Sequence, residues 1–166
     1  IDIEINYSFD TDFGSLNIGV RGTHILKYEI PDASDGSKDV VGLFNHDNFA
    51  RSLPETKIIL NADLINNQHR FSLLGRYTSD YKTNRVLSSS AVELGYNQNI
   101  DEWLSIDSRY NYSFEFDENQ MQFSLGIKNI FDEDAPQVYD AANFSYDPRQ
   151  HDPRGRLTYI GLKLLR

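Results

Sequence analysis

Apolar and polar side chains alternate with a period of two along most of this chain, and this alternation constrains the fold more than any other feature. In residues 1–9 every odd position is aliphatic or aromatic and every even position is polar. A helix would scatter such residues around its circumference, whereas a strand places them on one face. The final segment alternates in the same way, with one side formed by Thr158, Ile160, Leu162 and Leu164. The sequence therefore predicts an all-β, antiparallel fold.

The alternating segments predict seven strands joined by connections of two kinds. The strands are expected at residues 1–9, 16–28, 57–66, 69–81, 104–114, 123–127 and from 157 onward. Short turns at 10–14, 66–68 and 116–120 alternate along the chain with long connections at 29–56, 82–102 and 132–153. The connection at 29–56 has no sustained period and is predicted to be an irregular loop. Residues 91–97 form either a further short strand or an extension of a neighbouring strand.

This order of short and long connections is typical of an outer-membrane barrel, which has short periplasmic turns and long extracellular loops. A soluble sandwich gives no reason for all the long connections to lie at one end. The sequence has no apolar stripe with the 3.6-residue period of a helix. It therefore predicts no helical layer over the apolar face. We expect the apolar face to contact lipid and the opposite face to line a wet lumen with charged residues, namely Arg21, Asp63, Arg70, Arg76, Asp107, Arg109, Lys128 and Lys163.

Two finer expectations follow from this assignment of faces. Arg109, Asp107 and Lys128 are expected to form a cross-strand charge network. A new arginine should be costly on the lipid face and tolerated at the lumen-facing positions Ser105 and Asn111.

Composition excludes several classes of protein. The net charge of −9, from 25 acidic and 16 basic residues, argues against nucleic acid as a partner, because backbone binding needs a basic stripe. The absence of cysteine excludes disulfides and thiolate metal sites. The apolar runs are far shorter than the roughly 18 residues of a membrane-spanning helix. The length of 166 residues suits one domain.

The chain offers little for catalysis or metal binding. No Gly-x-Ser-x-Gly segment brackets a nucleophile, so the chain is expected not to be an enzyme. Asp147 and Asp152 each precede a proline, which favours turn chemistry over a ligand contact shared with His151. Metal-ligand spacing is missing, so no metal or cofactor is expected at the four histidines, His24, His46, His69 and His151.

Several segments resemble the C-terminal part of the barrel of TonB-dependent outer-membrane receptors. They are NIFDEDAP at residues 129–136, YDPRQHDPRGRLTYIGLKLLR at 146–166, SLPETK at 52–57 and RYTSDY at 76–81. The resemblance spans most of the chain. The chain departs from it at the end, where Leu165 and Arg166 replace the aromatic residue with which family members usually finish.

The resemblance implies a plugged barrel of about 22 strands, of which seven would be roughly the last third. It also implies that the plug, the signal peptide and the first strands lie outside this chain, N-terminal to it. A contact with that plug is the alternative role for Arg109, Asp107 and Lys128. The implied location is the cell outer membrane. The implied partners are outer-membrane lipid, the missing barrel and plug, the TonB energising complex acting through that plug, and the barrel-assembly machinery, which reads the C-terminal strand.

The function implied by the resemblance is energy-coupled uptake of a scarce nutrient, such as a siderophore, a cobalamin or a glycan. In that family the extracellular loops and the plug capture the ligand. The candidates for capture here are the aromatic and polar residues of the long connections, Phe44, Asn45, Phe49, Tyr139, Asn143, Phe144 and Tyr146. The alternative is a soluble carbohydrate-binding β-sandwich, which would need the apolar faces to pack on each other.

Overall fold

A computed structural model describes residues 1–32, 36–45, 49–117, 119–139 and 145–165. Within these ranges the chain forms thirteen strands and one short helix, so the prediction of an all-β fold is confirmed. The helix is α1 (Ser89–Glu93). The strands are β1 (Asp2–Thr11), β2 (Gly14–His24), β3 (Glu29–Asp32), β4 (Gly36–Asp39), β5 (Leu43–Phe44), β6 (Ser52–Leu53), β7 (Thr56–Asn66), β8 (His69–Thr78), β9 (Tyr81–Thr83), β10 (Asn99–Ile100), β11 (Trp103–Phe116), β12 (Asn119–Lys128) and β13 (Leu157–Leu165).

The seven long strands form one antiparallel sheet in the order β1-β2-β7-β8-β11-β12-β13. These are the seven strands that the alternation predicts, but some bounds differ. β2 and β8 end at His24 and Thr78, before the predicted 28 and 81, and β11 and β12 extend into the predicted turn at 116–120. Three tight turns join β1 to β2, β7 to β8 and β11 to β12 at one end of the sheet, here called the tight-turn end. Asn67 and Asp117 in two of these turns have φ angles of 52° and 49°, which Asn and Asp tolerate better than most residues. The long connections lie at the opposite, long-connection end, and β1 and β13 are the edges of an open sheet.

The register gives the sheet one apolar and one polar face. Val20 on β2 pairs with Ile5 on β1 and with Leu60 on β7, so these three apolar residues form one row across the strands. In the next row Arg21 pairs with Glu4, and because side chains alternate in a strand this row points the opposite way. The same parity holds across all seven strands. This parity places all eight charged residues that were predicted to line the lumen on the same side of the sheet. We call this side the polar face.

The apolar face is largely uncovered. Its side chains that are more than a third exposed include Ile3, Ile5, Tyr7, Phe9, Leu60, Phe71, Leu73, Leu104, Leu125, Ile160, Leu162 and Leu164. At these fractions each exposes on the order of 100 Å², so the twelve together present on the order of 1,000 Å² of apolar surface. The largest patch on a typical soluble monomer is about 300–600 Å². In the described part of the chain, no second layer shields this face.

The buried hydrophobic residues lie instead among the long connections. Tyr81, Ile100 and Val138 form the core cluster, and Phe44 packs against it. Around this cluster β10, β9, β5 and β6 form a small sheet, and β3 pairs with β4. The prediction that residues 29–56 are irregular is therefore wrong. A connection this long buries its own apolar side chains, and pairing of its short strands satisfies the buried backbone groups.

Residues 91–97 form neither a further strand nor an extension of one. Ser88 caps α1, since its side chain accepts a hydrogen bond from the backbone N–H of Ala91. Serine is among the preferred N-cap residues, so this local signal favours a helical turn over a strand. Among the residues described, no helix has the length and hydropathy that a membrane span requires.

Candidate functional site

The candidate site lies on the polar face at the long-connection end, where residues 145–156 fold back over the strand ends. A cavity of about 330 Å³ opens there, between the start of β11 and residues 148–155. We call it the outer cavity. Its floor is formed by Trp103, Ser105 and Asp107, and Lys128 and Asn129 at the end of β12 complete one side.

Turn chemistry at Asp147 fixes the covering segment, as the sequence predicts. The Asp147 carboxylate accepts a hydrogen bond from the backbone N–H of Arg149 at 3.0 Å, and its backbone carbonyl accepts one from His151. The second carboxylate oxygen accepts the phenol hydroxyl of Tyr81 at 2.9 Å, and both residues are buried. This contact joins residues that are 66 positions apart in the chain. It anchors the segment to the core.

His151 lies between two aromatic rings. Its imidazole centroid is 6.0 Å from that of Tyr81 and 5.6 Å from that of Trp103, which it meets edge-on. Burial lowers the pKa of His151 to about 4; the charge of Asp147 opposes that change and Lys57 adds to it. Burial also raises the pKa of Tyr81, with a further contribution from Asp147. Both side chains are therefore neutral near neutral pH.

Several polar atoms beneath the segment have no hydrogen-bond partner in the described part of the protein. They are both ring nitrogens of His151, the indole nitrogen of Trp103 and the hydroxyl of Ser105. A buried polar group without a partner costs roughly 1–3 kcal/mol. Each of these groups would gain a hydrogen-bond partner if water or a ligand reached it.

Charged pairs surround the outer cavity. Arg76 on β8 contacts Asp107 at 2.9 Å, and Arg154 binds both carboxylate oxygens of Asp152. The guanidinium of Arg154 holds the pKa of Asp152 down to about 2. Lys128 also acts electrostatically on Asp152. The lining is therefore richer in positive charge than this acidic chain as a whole.

A second cavity of about 400 Å³ adjoins the first on the polar face, nearer the strand centres, and we call it the middle cavity. The predicted network of Arg109, Asp107 and Lys128 does not form there. Asp107 pairs with Arg76 and accepts the backbone N–H of Asn129 instead. The reason is geometric, because Arg76 lies on the neighbouring strand diagonal to Asp107 and reaches it across the sheet.

The residues predicted to capture a ligand fall into different environments. Phe44 packs against the core, and Asn45 is 1% exposed with its amide donating to the carbonyl of Arg51 at 2.8 Å. Phe49 is exposed, Tyr146 is half-buried, and the ring of Tyr139 lies 5.3 Å from that of Tyr96. Two further candidates, Asn143 and Phe144, fall outside the described residues, as do His46 and Arg166.

Sequence reasoning missed Trp103 as part of the site, and it placed Ser105 on the lumen face without a role in the site. A signal for Trp103 was present, because the one tryptophan of the chain occupies a polar-face position in the alternation of β11. In the described ranges, no group of three or more metal-ligating residues comes together.

Comparisons with protein families, with curated proteins and with solved structures gave no match.

Proposed function

We propose that this chain is part of the wall of an outer-membrane barrel receptor that takes up a scarce nutrient, as its resemblance to TonB-dependent receptors implies. One observation carries the proposal. A single-layer sheet exposes a continuous apolar face, and its tight turns and long connections are segregated to opposite ends. The seven strands have 9–14 residues, against about 9–11 residues for a strand that crosses a bilayer.

Lipid contact accounts for the energetics of the apolar face. At about 25 cal/mol per Å², leaving on the order of 1,000 Å² in water costs roughly 25 kcal/mol, which exceeds the stability of a typical domain. The face also has aromatic residues near its tight-turn end, including Phe9, Phe71, Tyr112, Phe114 and Phe123. Outer-membrane barrels have such aromatic girdles at the interfaces, with aliphatic residues between them.

The polar face supports a wet lumen. Ion pairs lie along it, including Arg21 with Glu4 at 3.0 Å and Arg70 with Asp63 at 2.9 Å. A soluble sandwich would instead pack a second apolar layer about 10 Å from the exposed face. No specific observation favours that alternative, because the covering segment packs on the polar side of the sheet.

The remaining parts of the proposal come from the resemblance. The edges β1 and β13 would pair with further strands of the same barrel, and the plug would fill the lumen. The TonB complex would drive uptake through the plug, and the assembly machinery would read β13. The cargo would be of the siderophore, cobalamin or glycan class, captured at the long-connection end.

Expression of the full-length protein in a Gram-negative host tests this function. We expect it in the outer-membrane fraction, extractable only with detergent, with a folded form that migrates faster on gels unless heated. A periplasmic enzyme and a known porin serve as fractionation controls. Recovery as a monomer without detergent would refute the proposal.

A further inference from the structure

The middle cavity has an excess of positive charge. Two of the charged residues that line it are already paired, Arg70 with Asp63 and Asp107 with Arg76. Arg109 and Lys128 remain, and within the described residues neither has a carboxylate within 4.0 Å. Lys128 does act on Asp152, but Arg154 already binds both oxygens of that carboxylate. Two cations are therefore not neutralised by a close partner.

Neutral groups hold Arg109 in place. Its Nε donates to Asn111 Oδ1 at 2.9 Å and its Nη2 to Ser124 Oγ at 3.3 Å. The Ser124 hydroxyl also donates to Asn111 Oδ1, at 2.8 Å, and both residues are only 6% exposed. The guanidinium is thus oriented by a buried network that leaves its charge intact. A guanidinium has five N–H donors, and these contacts use two of them.

A tyrosine ring adds a further polar group between these strands. Tyr159 pairs in register with Gly126, which pairs on its other side with Arg109. A Cβ at position 126 would overlap the ring and hydroxyl of Tyr159. Glycine there allows the ring to lie across β12 and brings the phenol hydroxyl close to the strand that holds Arg109. Tyr159 lines the same cavity.

We infer that the middle cavity binds a small anion bearing carboxylate or phosphate groups, with Arg109 and Lys128 as the recognition cations. The volume of about 400 Å³ lies within the range of small-molecule sites. An anion would bind these cations more strongly than a neutral sugar, because charge-assisted hydrogen bonds to a guanidinium are roughly twice as strong as neutral ones. The inference rests on the proposed function, since it places the anion site on the lumen wall and assigns a charge to a molecule that enters it. It requires that the plug leave the middle cavity open to that molecule.

Asn111→Asp tests the site with little change in shape. The new carboxylate still accepts from Arg109 and Ser124, but it neutralises the guanidinium. Isothermal titration of the full-length protein in detergent would use citrate and inorganic phosphate as probes, and glucose as the neutral comparison. We expect the wild type to bind an anion, and Asn111→Asp and Arg109→Gln each to raise its Kd at least tenfold. Arg21→Gln is the matched control, because Arg21 lies on the same face but is paired with Glu4. Its Kd should not change.

Two results would overturn the inference while the receptor function stands. One is a heat-modifiable outer-membrane protein that binds neither anion at millimolar concentration. The other is anion binding that Asn111→Asp leaves unchanged. If the wild type binds no anion and both variants make the folded barrel more sensitive to protease, the cations contact an acidic segment of the same polypeptide instead. Conversely, a detergent-free soluble protein in which the variants still weaken anion binding would refute the receptor function and retain the site.

Discussion

Two adjacent leucines at the centre of β8 allow a direct test of the proposed lipid face. Leu73 and Leu74 are the fifth and sixth of the ten residues in this strand, so their side chains point to opposite faces at nearly the same depth. Leu73 pairs with Ala62 and Ser108 on the apolar face. Leu74 pairs with Asn61 and Asp107 on the polar face.

Arginine at these two positions should have very different effects. At Leu73 the charge would lie close to the bilayer midplane and cost about 2–4 kcal/mol, or roughly 30- to 700-fold in the folding equilibrium. At Leu74 the guanidinium would lie on the polar face, where water of the proposed lumen can solvate it. We therefore expect a loss below about 1 kcal/mol, even though Asp107 is already paired with Arg76. Leu74 is a better control than Ser105 or Asn111. Those two positions are 2% and 6% exposed, so an arginine there would also measure crowding.

Denaturant titration of the full-length protein in lipid vesicles measures both free energies of unfolding. Gel mobility before and after heating, as an independent readout, shows whether each variant has folded. Losses that agree within about 0.5 kcal/mol, or a larger loss for Leu74→Arg, would refute the assignment of the apolar face to lipid.

Three further predictions test sidedness, packing and pH dependence. On whole cells, an impermeant thiol reagent should label Leu94→Cys but not Asn67→Cys, and the reverse pattern would mean that the tight turns face outward. Gly126→Ala should destabilise the barrel by at most about 1 kcal/mol in the same titration, because a Cβ there displaces the ring of Tyr159, which is the far end of a partly exposed side chain. Gly75→Ala should destabilise the barrel less, because a Cβ there would lie at an ordinary contact distance of 3.7 Å from Leu60 Cβ. Equal losses for the two variants would contradict the packing of Tyr159 over Gly126. Acidification should loosen the segment that contains His151.

The seven long strands could be predicted because the alternation of apolar and polar residues that produces them can be read directly from the sequence. A sheet with one apolar and one polar face requires alternation in every strand, and a shift of one residue in any strand would break the pattern. Parity therefore indicated the face of each residue, such as the shared face of Val20 and Leu60, but it left open register shifts by two residues.

The folded connections could not be predicted in the same way. Strands such as β5 and β6 have two residues each, too few to establish a period. Their position depends on contacts between distant segments, such as Tyr81 with Asp147. The ion pairs of the polar face were equally hard to predict. Parity placed Asp107 and Arg109 on one face, but the pairing of Asp107 with Arg76 depends on how far the arginine side chain reaches.

The acid response of His151 follows from its burial. Its pKa of about 4 in the closed segment lies below the ordinary 6.5, so the exposed residue binds a proton more readily than the buried one. The closed arrangement of residues 145–156 should therefore lose stability as the pH falls from about 6.5 to about 4, with no further loss from this group below that. Hydrogen exchange of the full-length protein, corrected for the intrinsic rate at each pH, measures this opening. His151→Phe keeps an aromatic ring beside Trp103 and removes the titration, so exchange in this segment should become independent of pH over that range. His24→Gln is the matched control, because the partly exposed His24 lies outside this segment and its replacement should leave the response intact. An unchanged acid response in His151→Phe would place its origin in another group.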